Sequence, residues 1–552
     1  MKKAAFILYV IFAINLFTGF SAYADYNTPV LELYTTTGLP QIDFGAIGEP
    51  SMGTLFGTTS EGVLGKDDDS SVITLRHNFG EEIYYSTQTF LDEYVESGKA
   101  IQFVWNLPGE GMQIEEILYQ TEYIVAALKV LEQYSDIPVY IRFASDFNSW
   151  VHVARPEAYK SAFRHVANLV RLHTTNAAMV WSVSVSDSSG INIDEYYPGD
   201  EYVDWVGVSL YADRYYMGLK NPTEEQKRNE ALYHTGDYSD GVITISDFVT
   251  EYGVTKPVMI SQGGVSYQIR TTDEDVTPWA KQQLRRQYYY IPMVYPQVKL
   301  MSYSDVTNDD DINEYNISKS GELVGEYRKI LTAPHFIPKN SGGKAAATYQ
   351  KLDGVIETSA SMMIYPLYAY VFAFGAANPT VSYYINDNFV GSTSELPYHF
   401  DLDLSGLSEG VHTLKVSANN GEKTLTEKTY AINIPSREND IIGIEINGEK
   451  VETDVNPVLY NDRTLVPLRV VSEKLDFFVE WIEEEQAVIL EKNSVYIKLT
   501  INDPMATVGR AQQKLDVPPK LIVGRTMVPI RFVSEVIGMN VKWVDGTVVI
   551  TQ

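Results

Sequence analysis

Eight short runs rich in β-branched and aromatic residues constrain the fold more than any other feature of the chain. They are Gly53–Gly57, Val72–His77, Ala100–Leu107, Val139–Phe147, Ala177–Val185, Val203–Tyr211, Pro257–Gly263 and Val298–Ser304. Most read as continuous apolar stretches rather than as alternating ones, the pattern of a strand buried on both faces of a parallel sheet. Segments of helical period separate several of them, such as Ile114–Tyr134 and Pro156–His173. The second opens on a proline at its first helical position, where a missing N–H costs nothing. Another starts at Thr277 and Pro278 and runs to about Tyr290. Eight such units within about 280 residues predict a (β/α)8 TIM barrel, whose chemistry sits at the C-terminal ends of the strands. An open doubly wound sheet is the alternative, but no glycine-rich phosphate loop follows the first strand.

The start of the chain reads differently. Lys2 and Lys3 precede an apolar run from Ala4 to Phe20, and Ala22, Tyr23 and Ala24 have the small-x-small form of a cleavage site. Residues 1–24 are therefore expected to be a signal peptide cleaved after Ala24, on a secreted or cell-wall-associated protein. The apolar run is short for a membrane anchor, and the mature chain is expected to have no membrane span. Cleavage takes the net charge from −29 to −31 by removing the two lysines. A chain this acidic repels nucleic acid and anionic membrane, which excludes both as partners. A neutral glycan fits. With no cysteine in 552 residues, disulfides, thiolate metal sites and lipidated cysteine are excluded too, so the cores alone must hold the fold.

Three folded units are expected after the signal: a barrel over 25–335, a linker over 336–350, then two smaller domains. The linker carries Pro338 and the Ser341–Gly343 turn signal. Over 351–436, Val381–Ile385, Tyr398–Leu402, His412–Ala418 and Thr424–Ile434 alternate with turns at intervals that suggest an all-β sandwich. The stretches Val381–Gly391, Leu396–Tyr398 and Glu409–Leu414 resemble bacterial immunoglobulin-like modules appended to glycosidases, which implies a role as spacer or support. Residues 440–552 contain an internal repeat: Arg463–Glu473 recurs as Arg525–Glu535, and Trp481 returns as Trp543 at the same offset of 62 residues. This α+β segment resembles the stalk module named after the N-terminal domain of copper amine oxidases. It contains no histidine, so the name brings no copper with it, and the repeated arginines read as structural. Contact with cell-wall polymer through this module is the functional alternative.

Within the barrel, Pro138–Trp150 resembles the strand-four motif of glycoside hydrolase family 26, the group best known for β-mannanases. Pro156–Val166, Tyr196–Tyr211 and Lys256–Gly264 resemble the family's later segments. The resemblance places the acid/base at Asp146, where the family has glutamate preceded by histidine; here Ser145 precedes it. It places the nucleophile at Gln262, where the family has glutamate. A retaining glycosidase needs two carboxyls about 5–5.5 Å apart, one to protonate the leaving oxygen and one to attack the anomeric carbon. An amide is isosteric with glutamate but cannot form the glycosyl ester, a loss worth orders of magnitude in rate.

The expected function is thus polysaccharide or oligosaccharide binding with weak or no hydrolysis. Trp105, Trp150, Tyr211, Tyr267 and Tyr303 fall at C-terminal strand ends, where aromatic faces can stack on sugar rings, and Arg142 and Asn148 can bond hydroxyls. Two alternatives stay open. The barrel could be an active glycosidase with a rearranged pair, drawing on Asp213, Glu251 or Asp305 beside Asp146, or on an acetamido substrate. Alternatively, the whole chain could be a structural surface or coat component. No cofactor is implied. The acidic clusters Asp67–Asp69 and Asp309–Asp311 lack EF-loop spacing and read as solvated loops, so no metal site is expected.

Overall fold

The computed structural model describes residues 28–60, 70–81, 92, 98–107, 113–149, 155–185, 191–215, 221, 223, 234–308, 311–339, 344–359, 362–374, 376–436, 442–461, 463–492, 495–522, 524–536 and 538–551. The expected signal peptide, Trp150 and the Asp67–Asp69 cluster lie outside the described residues, as do Asp309 and Asp310. The chain divides into two compact units, one over 40–345 with 372–377, the other over 30–39, 346–371 and 378–552.

The first unit is a closed parallel barrel. Its strands are β1 (Thr54–Ser60), β2 (Val72–Asn78), β3 (Ala100–Asn106), β4 (Val139–Phe143), β5 (Ala177–Ser184), β6 (Trp205–Ala212), β7 (Val258–Val265) and β8 (Val298–Asp305). Each pairs with the next in sequence, and β8 returns to β1 with Leu300 opposite Leu55 and Tyr303 opposite Thr58. Outside the sheet, Pro156–His173 buries Tyr159, Phe163, Val166 and Val170, the stripe that a helix of this period must cover.

Side-chain parity organises the interior. Val72, Ala100, Tyr140, Val180, Trp205, Met259 and Leu300 belong to one buried apolar layer near the strand N-termini. Two residues further along six of those strands come Thr74, Gln102, Arg142, Ser182, Ser261 and Ser302, all buried and all polar. Because alternate residues share a face, the pleat carries the apolar layer directly into the polar one. Buried polar groups are tolerated only when bonded. Gln102 Nε2 donates to Thr74 Oγ1 (3.1 Å) and to the Ser261 carbonyl (2.8 Å). The Ser182 and Ser261 hydroxyls lie 2.7 Å apart. Below the apolar layer, residues 43–50 close the barrel floor: Trp205 Nε1 donates to the Ile47 carbonyl and the Tyr140 hydroxyl to that of Gly48. Gly48 has φ +74°, and a Cβ there would meet Pro138 and Tyr140 at 2.8 Å.

The second unit begins with a strand that the expected 25–335 span would assign to the barrel. Val30–Thr37 instead pairs antiparallel with Thr348–Lys351, in a sheet that also holds Ile364–Phe372 and Phe400–Asp403. Its partner lies more than 300 residues away, so nothing local in the sequence marks it. The stretch 336–350 is also more than a linker. Phe336–Ile337 adds to the barrel sheet beside β1, and Thr348 opens a sandwich strand. A second sheet runs Val355–Glu357, Thr424–Ile434, Gly410–Asn419, Thr380–Ile385 and Asn388–Thr393. Tyr383 of this sheet stacks on Phe400 of the first at 4.4 Å, across the sandwich core.

The C-terminal segment follows its repeat element by element. Gly443–Ile446, Val458–Tyr460, Arg463–Pro467, Leu468–Lys474 and Phe478–Ile482 recur as Met505–Val508, Lys520–Ile522, Arg525–Pro529, Ile530–Val536 and Asn540–Val544. The two copies meet at a pseudo-two-fold axis where Leu465 faces Pro529 and Pro467 faces Met527. The leading strand of each copy joins the sheet of the other copy's tryptophan hairpin: Gly443–Ile446 pairs with Thr547–Thr551, and Met505–Val508 pairs with Val495–Thr500 in the sheet that holds Phe478–Ile482. Ion pairs repeat the exchange, Arg525 with Asp454 and Arg463 with Asp516. The tryptophans are not equivalent, however. Trp481 packs against the segment's core, whereas Trp543 is 55% exposed.

Candidate active site

Asp146 and Gln262 meet at the C-terminal mouth of the barrel. After β4, Ala144 and Asp146 take left-handed conformations (φ +48° and +54°), and the Asp146 amide donates to the Ser182 carbonyl at 2.9 Å. Aspartate tolerates this region better than most residues, whereas alanine there is strained, as backbone at functional sites often is. On β7 the register with β6 jumps, so that Val208 faces Ile260 but Ser209 faces Gln262. Ser261 is the extra residue of this bulge. It lets two successive side chains turn inward: Ser261 reaches Ser182, and Gln262 reaches Asp146. Gly263 follows, where a Cβ would lie 2.3 Å from the Leu210 carbonyl oxygen.

The Asp146 carboxylate is enclosed by donors. Arg142 Nη2 and Gln262 Nε2 reach Oδ2 at 3.2 and 3.0 Å, and Ser209 Oγ reaches Oδ1 at 2.7 Å. Arg76 Nη2 donates to Gln262 Oε1 at 2.9 Å. A guanidinium can only donate, so this contact fixes the amide with its oxygen toward Arg76 and its NH2 toward Asp146. Arg142 is fully buried, and burial pulls its guanidinium down to about 10 despite the opposing pull of Asp146. Arg76 and Ser209 were not singled out from sequence. Both follow from parity, since Arg76 is two residues beyond Thr74, and Ser209 is four beyond Trp205.

Parity also sorts the expected sugar platforms. Tyr211 continues the inward series of β6, lies half-buried beside Arg76, Asp146 and Arg142, and meets Tyr315 edge-on at 5.1 Å. Trp105 has the opposite parity and turns out of the barrel. It is fully buried between Phe79, Phe103 and Tyr123. Tyr303 likewise turns outward to Tyr327, fully buried, and its hydroxyl donates to the Tyr315 carbonyl. Neither can stack on a sugar as expected. Tyr267 is 8% exposed, and burial raises its hydroxyl to about 12. Asn148 does not reach for a sugar hydroxyl as expected: its amide is spent on both backbone groups of Ser184, at 2.6 and 2.9 Å, and ties the turn after β4 to the end of β5.

The alternative carboxylates separate in the same way. Asp305 is fully buried and accepts from the backbone N–H and hydroxyl of Ser318, holding the turn that follows. Glu251 lies exposed on the helix Ser246–Tyr252, beside Asp194 and Asp247. Asp213 stands two residues beyond Tyr211; burial pushes its carboxyl up to about 6, against the opposing hydrogen bond from the Tyr315 hydroxyl. Among the described residues no group of three or more histidine, cysteine or acidic side chains could hold a metal ion, and no helix is long and apolar enough to cross a membrane.

A closed parallel barrel with an acidic side chain at the end of β4, facing the end of β7, defines the first unit as a glycosidase-like barrel. Residues 99–275 match the family model described as Glycosyl hydrolase family 26, and residues 445–552 match that of the Copper amine oxidase N-terminal domain. A Beta-1,3-xylanase from Vibrio sp is 36% identical over 80 residues, 14% of this chain and 17% of that protein. A "Protease inhibitor" from Brevibacillus choshinensis is 27% identical over 111 residues, 20% of this chain and 34% of that protein. The chain thus spans about a third or less of the length of these relatives. Among solved structures, an endo-beta-1,4-mannanase double mutant from Cellulomonas fimi is similar at 13% identity and TM-score 0.38, over 69% of this chain and 94% of that one. A GH26 beta-mannanase from Bacteroides ovatus is similar at 15% and 0.35, over 53% and 92%.

Proposed function

We propose that the barrel holds a polysaccharide or oligosaccharide across its C-terminal mouth and hydrolyses it weakly or not at all. One observation carries this reading: the side chain opposite Asp146 is the amide of Gln262, in direct contact at 3.0 Å. A retaining pair needs a second carboxylate at about 5–5.5 Å, and an amide can neither attack the anomeric carbon nor offset oxocarbenium charge. Asp146, meanwhile, accepts from three donors, the reverse of what protonating a leaving oxygen requires. Of the expected aromatic platforms among the described residues, Tyr211 is the one left at the mouth. The names of the similar proteins, mannanases and a β-1,3-xylanase, point to a β-linked glycan. On this reading the protein is secreted or wall-associated after loss of residues 1–24. The C-terminal module would touch wall polymer, through a cleft of about 460 Å³ lined by Trp481, Val470, Leu521 and Arg469.

A second reading, an inverting glycosidase, is favoured by Asp213, whose carboxyl near 6 suits a general base. One experiment separates the readings. The full mature chain is titrated calorimetrically with β-linked manno-, gluco- and xylo-oligosaccharides, and reducing-sugar release is followed on the same preparations. Binding without release is expected. Rapid release that Asp213→Asn abolishes establishes the inverting enzyme, and no binding at all leaves a structural surface role.

A further inference from the structure

The substitution at position 262 leaves the site with an unbalanced charge. Two guanidiniums, Arg76 and Arg142, face one carboxylate, Asp146, and Arg142 takes it. Arg76 is exposed at the mouth, and its one hydrogen-bond partner among the described residues is the neutral oxygen of Gln262. Like charges near a partly desolvated mouth repel more strongly than in water. The neighbouring carboxyls do not relieve this, because Asp305 is committed to Ser318 and Asp213 to Tyr315. Among the described residues no carboxylate bonds Arg76, so its exposed guanidinium is open to a ligand's negative charge.

Resting on the reading that the barrel binds a glycan, we propose that its ligand is an acidic sugar, a uronic-acid residue whose carboxylate sits against Arg76. The guanidinium fork suits a carboxylate, and charge-assisted bonds of this kind are about twice as strong as neutral ones. The ligand's carboxylate supplies the charge that a glutamate at position 262 would have supplied. The strongly negative net charge does not forbid this, because physiological salt screens charges beyond about 8 Å. A neutral glycan, expected from net charge alone, is refined here by the local field.

The test compares matched ligands by calorimetry on the full mature chain. Mannohexaose is set against the β-1,4-mannuronate hexamer, and cellohexaose against the β-1,4-glucuronate hexamer. Each pair differs only in carrying a hydroxymethyl or a carboxylate at C6. The uronate of at least one pair should bind about tenfold tighter or more than its neutral partner. Arg76→Gln should erase that preference. Gln262→Glu should erase it too, by placing the protein's own carboxylate beside Arg76. Equal or tighter binding of both neutral hexamers overturns the inference and leaves the glycan-binding reading standing. A preference that survives Arg76→Gln also overturns it. If none of the four binds, both readings fail together.

Discussion

Gln262→Glu is the most informative single change, because it adds one charge at a known place with almost no change in volume. The new carboxylate would stand 2.9 Å from Arg76 and 3.0 Å from Asp146, if it keeps the contacts of the amide. At an effective dielectric constant near 20, unit charges about 4 Å apart interact by roughly 4 kcal/mol, so attraction to Arg76 and repulsion from Asp146 nearly cancel. Two carboxyls in contact cannot both stay ionised easily, and one of the pair should hold a proton near neutral pH. One acid and one nucleophile is the state a retaining mechanism starts from. Turnover of a 2,4-dinitrophenyl β-glycoside, which needs little protonation, should rise at least about 100-fold, equivalent to about 2.7 kcal/mol. The gain should stop short of full activity, because the pair must open from contact toward about 5 Å. Adding Asp146→Glu should then help substrates with poor leaving groups, at some backbone strain from the left-handed φ of +54°. Dinitrophenolate release and mass-spectrometric capture of a glycosyl-enzyme provide the assay. The reasoning is refuted if the unmodified chain already turns over quickly and Gln262→Ala leaves that rate unchanged.

Four further outcomes can be checked. Arg142→Ala leaves its contacts with half-buried Asp146 and with buried Ser182 and Ser261 unmet and should destabilise the barrel by about 3 kcal/mol or more, read from urea unfolding; Arg76→Ala, at an exposed position, should cost less than about 1 kcal/mol. Asp213 keeps its proton up to about 6 when folded but only to about 3.8 when unfolded, so its contribution favours folding at low pH and is lost as pH rises through that window. Asp213→Asn should flatten the fall in Tm between pH 4 and 6, and an unchanged slope would show that the carboxyl is not shifted. In the C-terminal segment, Trp481→Ala should lower Tm clearly more than Trp543→Ala, because only Trp481 packs against the core. The whole chain should also take up no stoichiometric copper on dialysis, measured by metal analysis.

What the sequence makes legible here depends on how far apart the interacting residues lie. All eight barrel strands are visible, because each buried strand carries its own apolar signature and the closure between β8 and β1 follows from the count. The repeat is visible because Arg463 and Arg525 stand at a fixed offset, although the exchange of leading strands between the copies is not, since that is a pairing between distant segments. Val30–Thr37 shows the limit plainly: an inner strand between Thr348–Lys351 and Ile364–Phe372, both more than 300 residues away, leaves no local trace of where it belongs.

The site divides along a different line. Asp146 and Gln262 are found by motif, yet their surroundings obey parity. Thr74 and Arg76 share the inward face of β2, as do Ser209 and Tyr211 on β6, whereas Trp105 and Tyr303 occupy the outward phase of β3 and β8. Read from sequence alone, the same period of two takes those two aromatics off the sugar platform and adds Arg76. The bulge at Ser261 could not have been read that way, because it breaks the period at the position that aims Gln262. An irregularity of one residue therefore decides whether residue 262 faces Asp146 or the helices. The chemistry of the mouth turns on that break: it brings a neutral amide between Asp146 and Arg76 and leaves Arg76 open to a ligand's charge.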